Sequence, residues 1–340
     1  MPFPPAERHS LHCPLLARTR THYTCVSGTH KTSHPLELPS PPEDAMIGTV
    51  ASGGNTMGST LQLVSASTLS PQDLASLINQ VYADYYVRVW MDASQVSQML
   101  VEEDVDLPDS VVAMDGSTPV GLSFLSIRGR LGWISGVGTL RAWRRRGVAR
   151  AILQKLQQTA RLHGLQSVWL EVFQQNAPAI SLYQGLGFVW ERDLLVLTRE
   201  PDAAPAPSPE ACSIRPLPPR VALESFAAFH DSRSPWQRDL ASLQHHAAVL
   251  SALGCYETRL VGYILYHAQI SNCAVYDLAV DPLHPDRRDI AEALLRMVHN
   301  RYHLLESYII NVPTADPLLP VFLDLGYDRW QQQYELVWHP

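Results

Sequence analysis

The pattern of hydrophobic and polar residues becomes regular only after about residue 60. From Leu61 to Val64 apolar and polar residues alternate, which predicts a short strand. Ser70 and Pro71 then form a typical helix start, and a second helix is expected from Asp92 to Leu100. Apolar residues follow Pro71 at helical spacing: Leu74, Leu77, Ile78, Val81 and Tyr82.

A strand meander is predicted next, because apolar runs alternate with tight-turn sequences. The pattern favours strands at Val111–Met114, Val120–Ile127 and Leu131–Val137. A long helix is expected from Gly147 to His163, since the glycine at position 164 is typical of a helix end.

The next segment completes the elements of this half. It predicts a buried strand, Ser167–Phe173, and a helix, Ala177–Leu186. The residues that follow, Phe188–Trp190 and Leu194–Leu197, are expected to form a last hairpin.

The pattern starts again about 140 residues later. Three correspondences occur in the same order. The strand Val261–Tyr266 resembles Val120–Leu125, and the segment Val321–Tyr327 resembles Leu182–Phe188. Between them, the strand Ala274–Val280 and the helix Asp289–Tyr302 follow one another as Leu131–Val137 and Gly147–His163 do. Coincidence among common apolar patterns is the alternative, but the shared order favours an internal duplication.

Composition divides the chain further. Residues 1–58 are dense in Pro, Ser, Thr and His, which indicates a disordered tail or an over-extended start. A metal site in that segment is the alternative, although its histidines and cysteines lack zinc-type spacing. Residues 200–211 are expected to be a Pro/Ala linker between two domains, 59–199 and 212–340.

Overall charge limits the possible partners. The net charge is −7 and the pI is about 6.0, which argues against nucleic acid or an anionic membrane surface as the main partner. The five cysteines are few and odd in number, a pattern that fits a reducing cytoplasm with Cys255 and Cys273 as small core residues.

Candidate chemistry lies where a strand gives way to the long helix, at Arg144–Ala149. Backbone N–H groups at a helix start bind phosphates, and Gly147 allows a ligand to approach the backbone closely. Neighbouring arginines would add charged contacts to phosphate oxygens. A solvated basic helix start is the alternative interpretation of this segment.

Two motifs together resemble the GCN5-related N-acetyltransferase (GNAT) family. Arg144-x-x-Gly147-x-Ala149 is similar to that family's acetyl-CoA pyrophosphate loop. About 27 residues later a second signature follows: Asn176-x-x-Ala179-x-x-Leu182-Tyr183-x-x-x-Gly187-Phe188. The resemblance covers residues 61–198 well and residues 212–340 weakly.

The resemblance implies an α/β (α+β) fold of two tandem GNAT-like domains, each a mixed, partly antiparallel sheet flanked by helices. The first sheet would split between its fourth and fifth strands and hold acetyl-CoA there, with no metal. The residues implied to bind acetyl-CoA are Val137, Gly138, Thr139, Arg144, Arg145, Arg146, Gly147, Val148, Ala149 and Asn176.

The implied reaction is direct attack of an amine on the thioester through a tetrahedral intermediate. Tyr183 would stand near the sulfur and protonate the leaving thiolate, unless it simply packs on Leu186. Glu171 lies on the opposite strand face from Val168 and Leu170, so it is a candidate general base or an ordinary polar surface residue.

The acceptor is expected to be a small-molecule or peptide amine. Tyr82, Tyr85, Tyr86 and Trp90 lie where the family's acceptor site is covered, which makes them candidates for substrate contact; core packing is the alternative. The sequence gives no indication of oligomeric state. A non-catalytic acyl-CoA-binding regulatory or interaction protein is the alternative function.

The C-terminal half is expected to have kept the fold and lost the cofactor site. Aligned on the long helices, Asp286 falls opposite Arg144 and Asp289 opposite Gly147, so carboxylates replace the phosphate-binding groups. In the second signature, Ala315 falls opposite Asn176 and Phe322 opposite Tyr183, and the hydroxyl is lost.

Overall fold

A computed structural model describes residues 61–202, 207 and 212–340. The expected tail, and with it the candidate metal ligands, lies outside the described residues, as does most of the linker. None of the helices in the described ranges is long and apolar enough to cross a membrane.

The N-terminal half follows the predicted order of elements. They are β1 (Leu61–Ser65), α1 (Pro71–Val81), α2 (Ala93–Glu102), β2 (Val111–Asp115), β3 (Thr118–Arg128), β4 (Leu131–Thr139), α3 (Val148–Leu162), β5 (Ser167–Phe173), α4 (Ala177–Gln184) and β6 (Val189–Arg199). The helix starts are capped as expected, because Ser70 and Asp92 each accept a hydrogen bond from a first-turn amide.

The C-terminal half repeats this order, with three short helices between its first two strands in place of α1 and α2. Its elements are β7 (Ser213–Pro216), α5 (Pro219–Glu224), α6 (Phe226–Phe229), α7 (Leu240–His246), β8 (Ser251–Tyr256), β9 (Leu260–Ala268), β10 (Asn272–Val280), α8 (Arg287–Arg301), β11 (Glu306–Pro313), α9 (Leu319–Asp324) and β12 (Asp328–Trp338).

All twelve strands form one sheet, in the order β1-β2-β3-β4-β5-β12-β6-β11-β10-β9-β8-β7. The last strand of each half therefore pairs with the other half: β12 lies against β5, and β6 lies against β11. The mixed sheet expected for each half is confirmed, with β4–β5 and β10–β11 as its parallel pairs. The two sheets are joined, however, rather than separate.

The prediction of a hairpin at the end of the first half is wrong. Residues Val189–Arg199 form the single strand β6, which is hydrogen-bonded to β12 on one edge and to β11 on the other. β12 pairs with β6 from Val189 to Thr198 and β11 pairs with it from Leu194 to Arg199, so the backbone groups that a hairpin would use already have partners in the other half.

The hydrophobic core also crosses between the halves. Leu336 and Trp338 of β12 are buried in the cluster that contains Leu153 and Leu156 of α3. On the opposite face of the sheet Trp236, in the 3-10 turn Trp236–Arg238, stacks on Trp133 with ring centroids 5.9 Å apart. Each half thus completes the core of the other.

The cysteines are only partly as expected. Cys255 and Cys273 are both buried, but Cys255 is joined to Cys212 in a disulfide between β8 and the residue before β7. The expected burial of Cys255 and Cys273 is confirmed, whereas the disulfide was not expected; it forms because the pairing of β7 with β8 brings Cys212 beside Cys255.

Candidate active site between strands β4 and β5

Strands β4 and β5 separate along their length. They pair at three positions, from Leu131–Ser167 to Trp133–Trp169, and then diverge. A bulge at Gly136 and Val137 interrupts the pairing of β4 with β3 at the same level. The sheet therefore splits between its fourth and fifth strands, and a cavity of about 830 Å³ occupies the opening.

The start of α3 lies at the wide end of this split. Gly147 is its N-cap, with φ 82° and ψ 0°, a left-handed conformation that favours glycine. A Cβ at this position would have no atom of the described residues within 4 Å, so the space above the backbone is open. Because glycine supplies no capping side chain, the first-turn amides of this 15-residue helix face that space unshielded.

Most of the predicted cofactor residues line the cavity. They are Val137, Thr139, Arg144, Arg145, Gly147, Val148, Ala149 and Asn176. Gly138 and Arg146 are not among the lining residues. Gly138 packs against Val81, which would collide with any side chain there, and the Arg146 guanidinium lies 5.1 Å from the centroid of the Trp143 ring.

Arg144 also lines the cavity, but most of its donors are engaged within the protein. Its guanidinium forms a two-pronged ion pair with Asp84, at 2.7 and 2.5 Å, and donates to the carbonyls of Thr139 and Val81. The bond from Arg144 lowers the pKa of Asp84. Through these bonds Arg144 fixes the loop before α3 to Asp84 and to the carbonyls of Thr139 and Val81. Arg145 and Arg150 are the other cations that line the cavity.

Tyr183 reaches the cavity from α4. This helix begins at Asn176, whose side chain accepts a hydrogen bond from the amide of Ala179. The phenol ring is buried and packs edge-on against Phe188, with centroids 6.0 Å apart. Burial raises the pKa of Tyr183, so the hydroxyl is protonated at neutral pH.

Glu171 also faces the cavity. Trp133 Nε1 donates to its Oε2 at 2.6 Å, whereas its Oε1 is buried with no partner among the described residues. Burial, and then the carboxylate of Glu335 on the neighbouring strand, raise the pKa of Glu171 to about 8. A carboxyl with this pKa exchanges protons in the range useful to a general base.

The aromatic candidates divide into two pairs. Tyr82 and Tyr85 line the cavity, with their rings edge to face at 5.1 Å. Tyr86 and Trp90 lie outside the lining and are 49% and 56% exposed.

Six polar residues of the lining were not anticipated from the sequence: Ser135, Arg150, Glu103, Gln237, Asn311 and Gln333. The last three belong to the C-terminal half and reach the cavity because β12 lies beside β5 and the 3-10 turn lies against Trp133. No local motif marks them, since their position depends on the pairing of β12 with β5.

The corresponding opening in the C-terminal half is bridged by a side chain. Strands β10 and β11 also pair at three positions and then diverge. Beyond that point Arg238 donates to Asp277 on β10 at 3.3 Å and to the carbonyl of Asn311 on β11 at 3.4 Å. The hydroxyl of Tyr263 donates to the same carboxylate at 2.8 Å.

Packing supports the alignment of the two long helices. A Cβ on Gly121 would contact Val148 at 3.1 Å, and a Cβ on Gly262 would contact Ile290 at 3.0 Å. This register places Asp289 at the level of Gly147, and α8 begins before that level, at Arg287. Continuous helix therefore replaces the open glycine turn.

The second signature can be compared in the same way. The carbonyls of Tyr183 and Phe322 accept equivalent hydrogen bonds, from the amides of Phe188 and Tyr327. The ring of Phe322 packs edge-on against Tyr327, with centroids 5.2 Å apart, as the ring of Tyr183 packs against Phe188. Phe322 thus takes the place of Tyr183 without its hydroxyl.

Comparison with known proteins agrees with this geometry. Residues 76–188 match the model of the acetyltransferase (GNAT) family, a span that contains the open helix start, Glu171 and Tyr183. The general reaction of this family is acyl transfer from an acyl-CoA to an amine. No curated protein sequence matched the chain.

Solved structures resemble the chain over both halves. A GCN5-related N-acetyltransferase from Sphaerobacter thermophilus is 17% identical, with a TM-score of 0.65 over 82% of this chain and 95% of that one. A tandem GNAT protein from the clavulanic acid biosynthesis pathway is 14% identical, with a TM-score of 0.60 over 82% and 98%. A putative acetyltransferase from Pyrococcus horikoshii is 17% identical, with a TM-score of 0.55 over 85% and 92%. At these identities the likeness shows the tandem GNAT fold.

Proposed function

We propose that this protein transfers an acetyl group from acetyl-CoA to an amine, the reaction typical of the GNAT acetyltransferase family whose model residues 76–188 match. One observation carries the proposal. The open start of α3, a buried carboxyl and a buried phenol all line a single cavity in the split between β4 and β5.

The wide end of the cavity is the proposed site for the pyrophosphate. The amides at Gly147, Val148 and Ala149 would donate to its oxygens, and the helix dipole favours negative charge there. Arg145 and Arg150 would add charged contacts. The separated edge of β4 beyond Trp133 offers backbone groups to the pantetheine arm.

The narrow end is the proposed site of reaction. A neutral amine attacks the thioester carbonyl, the C–N bond forms, and Glu171 takes the proton that the amine loses. A backbone amide of β4 near Val137 would stabilise the oxyanion. As the C–S bond breaks, Tyr183 gives its proton to the thiolate, and proton exchange with solvent restores both side chains.

The substitution Tyr183→Phe should lower kcat by about 10²-fold, because general acid catalysis accelerates a reaction by that order. The affinity for acetyl-CoA should change little, since the ring and its packing on Phe188 remain. Steady-state release of free thiol gives kcat, and calorimetry gives the affinity. A kcat equal to that of the wild type would remove the acid role from Tyr183.

The rate should also depend on pH through Glu171. Below its raised pKa of about 8 this carboxyl is protonated and cannot accept a proton, so activity should rise as pH increases through that value. Glu171→Gln, assayed with the same amine, should retain only the titration of the amine itself. The ratio of wild-type to variant rate should therefore increase with pH, and a ratio independent of pH would contradict the assignment.

A further inference from the structure

Charge is distributed unevenly along the cavity. Its lining contains five charged side chains among the described residues: Glu103, Arg144, Arg145, Arg150 and Glu171. The arginines lie around the start of α3, where Arg144 contacts Thr139 at the end of β4. Glu171 is bonded to Trp133, six residues earlier on β4, a separation of about 20 Å along a strand. One end of the cavity thus carries the cations and the other carries the two carboxyl groups.

The end that carries Glu103 and Glu171 contains buried oxygen atoms that lack a hydrogen-bond partner. Glu103 Oε2 and Glu171 Oε1 are each buried without a hydrogen bond among the described residues. Burial raises the pKa of Glu103 to about 7, although Gln237 and, more weakly, the hydroxyl of Ser135 favour its charged form. Buried polar atoms usually have partners, and an unpaired carboxylate oxygen is costly to bury. Two such oxygens in one cavity point to a ligand that donates hydrogen bonds or carries positive charge.

The C-terminal half holds Glu103 in place through a chain of amides. Gln333 donates to Asn311 at 2.7 Å, Asn311 donates to Gln237 at 2.7 Å, and Gln237 donates to Glu103 Oε1 at 3.3 Å. Each bond has its donor directed towards the carboxyl, so the chain stabilises negative charge on Glu103. The indole of Trp236 donates to the backbone carbonyl of Glu103 at 3.0 Å.

We propose that Glu103, oriented by the C-terminal half, receives a second positive group of the acceptor, which is therefore a small dication. The inference rests on the proposed acetyl transfer. The reacting amine attacks as the neutral base and loses a proton to Glu171 only as the C–N bond forms, so it cannot balance the charge of ionised Glu103. A second ammonium group would do so, and the walls formed by Tyr82, Tyr85, Met91 and Met99 suit a methylene spacer.

The test compares α,ω-diaminoalkanes with n-alkylamines of equal chain length in a thiol-release assay on the full chain. The wild type should show a kcat/KM at least about tenfold higher for the best diamine than for its matched monoamine, because a charged hydrogen bond is gained. Glu103→Gln keeps the shape and should remove this preference, so that kcat/KM falls about tenfold more for the diamine than for the monoamine.

A neighbouring residue provides the matched control. Glu102 bonds to Gln98 at 2.6 Å and is not among the residues that line the cavity, so Glu102→Gln should keep the diamine preference. Gln237→Met removes the bond to Glu103 without a change in charge. It should reduce the preference severalfold, which tests the contribution of the C-terminal half separately.

The outcomes separate the inference from the function on which it rests. Thiol release with equal kcat/KM for both amine series, or an equal loss for both in Glu103→Gln, would overturn the dication while acetyl transfer stands. A preference for a neutral polar amine would overturn it in the same way. If no amine stimulates thiol release and acetyl-CoA does not bind in calorimetry, the proposed function fails and the inference with it.

Discussion

A chain that ends at Tyr327, before β12, should fail to fold. It loses the ladder that joins β5 to β6 and three buried apolar residues, Leu336, Val337 and Trp338. At about 1.5–3 kcal/mol for each buried large side chain, the loss of roughly 5–9 kcal/mol is comparable to the 5–15 kcal/mol that stabilises a typical domain. Circular dichroism and thermal unfolding should show no cooperative transition.

The matched control is a chain that ends at Trp338 and keeps β12. It should unfold at nearly the wild-type temperature. For the same reason, residues 61–199 and 212–340 should each be insoluble when expressed alone, but should assemble when expressed together, because each supplies the strand that the other lacks. An isolated N-terminal half that unfolds cooperatively would contradict the strand exchange.

Gly147→Glu should abolish acetyl-CoA binding. The substitution places a carboxylate in the open space above the first turn of α3, where the pyrophosphate is proposed to lie. It also forces a residue with a Cβ into a left-handed conformation, which weakens the turn itself. Calorimetry should detect one acetyl-CoA per wild-type chain and none in the variant.

Gly164→Glu separates these two effects. Gly164 has φ 63°, open space around its Cβ position and a place at the far end of the same helix. Its replacement should cost similar stability and leave acetyl-CoA affinity unchanged. Equal losses in both variants would attribute the effect to backbone strain. A binding site that persists in Gly147→Glu would show that the C-terminal half, where Arg238 spans the split, binds the cofactor after all.

Local elements could be predicted because their signals are local. Helical spacing after Pro71, the glycines that flank α3 and the alternation in β2 to β4 are each contained within a short stretch of sequence. The course of β6 could not be predicted, because its partners are β11 and β12, more than 100 residues away. Pairing at that distance depends on which edges remain open in the folded chain, and β6 carries no turn signal that reveals it.

The same distinction applies to the site. Strand periodicity was enough to place Glu171 opposite Val168 and Leu170, which lie in the core while Glu171 faces the cavity. The sequence did not reveal that Asp84 neutralises Arg144, since the two are 60 residues apart. Gln333 could not be predicted for the same reason, because it reaches the cavity only through the pairing of β12 with β5 of the other half.

The most direct test of the account is amine-dependent release of free thiol from acetyl-CoA by the intact protein, with the acetylated amine identified by mass spectrometry. The account predicts that amines accelerate thiol release in the wild type, that product accumulates in equal amount, and that Gly147→Glu shows neither. Binding of acetyl-CoA at one site per chain without acceleration by any amine would contradict the account and identify an acyl-CoA-binding protein instead.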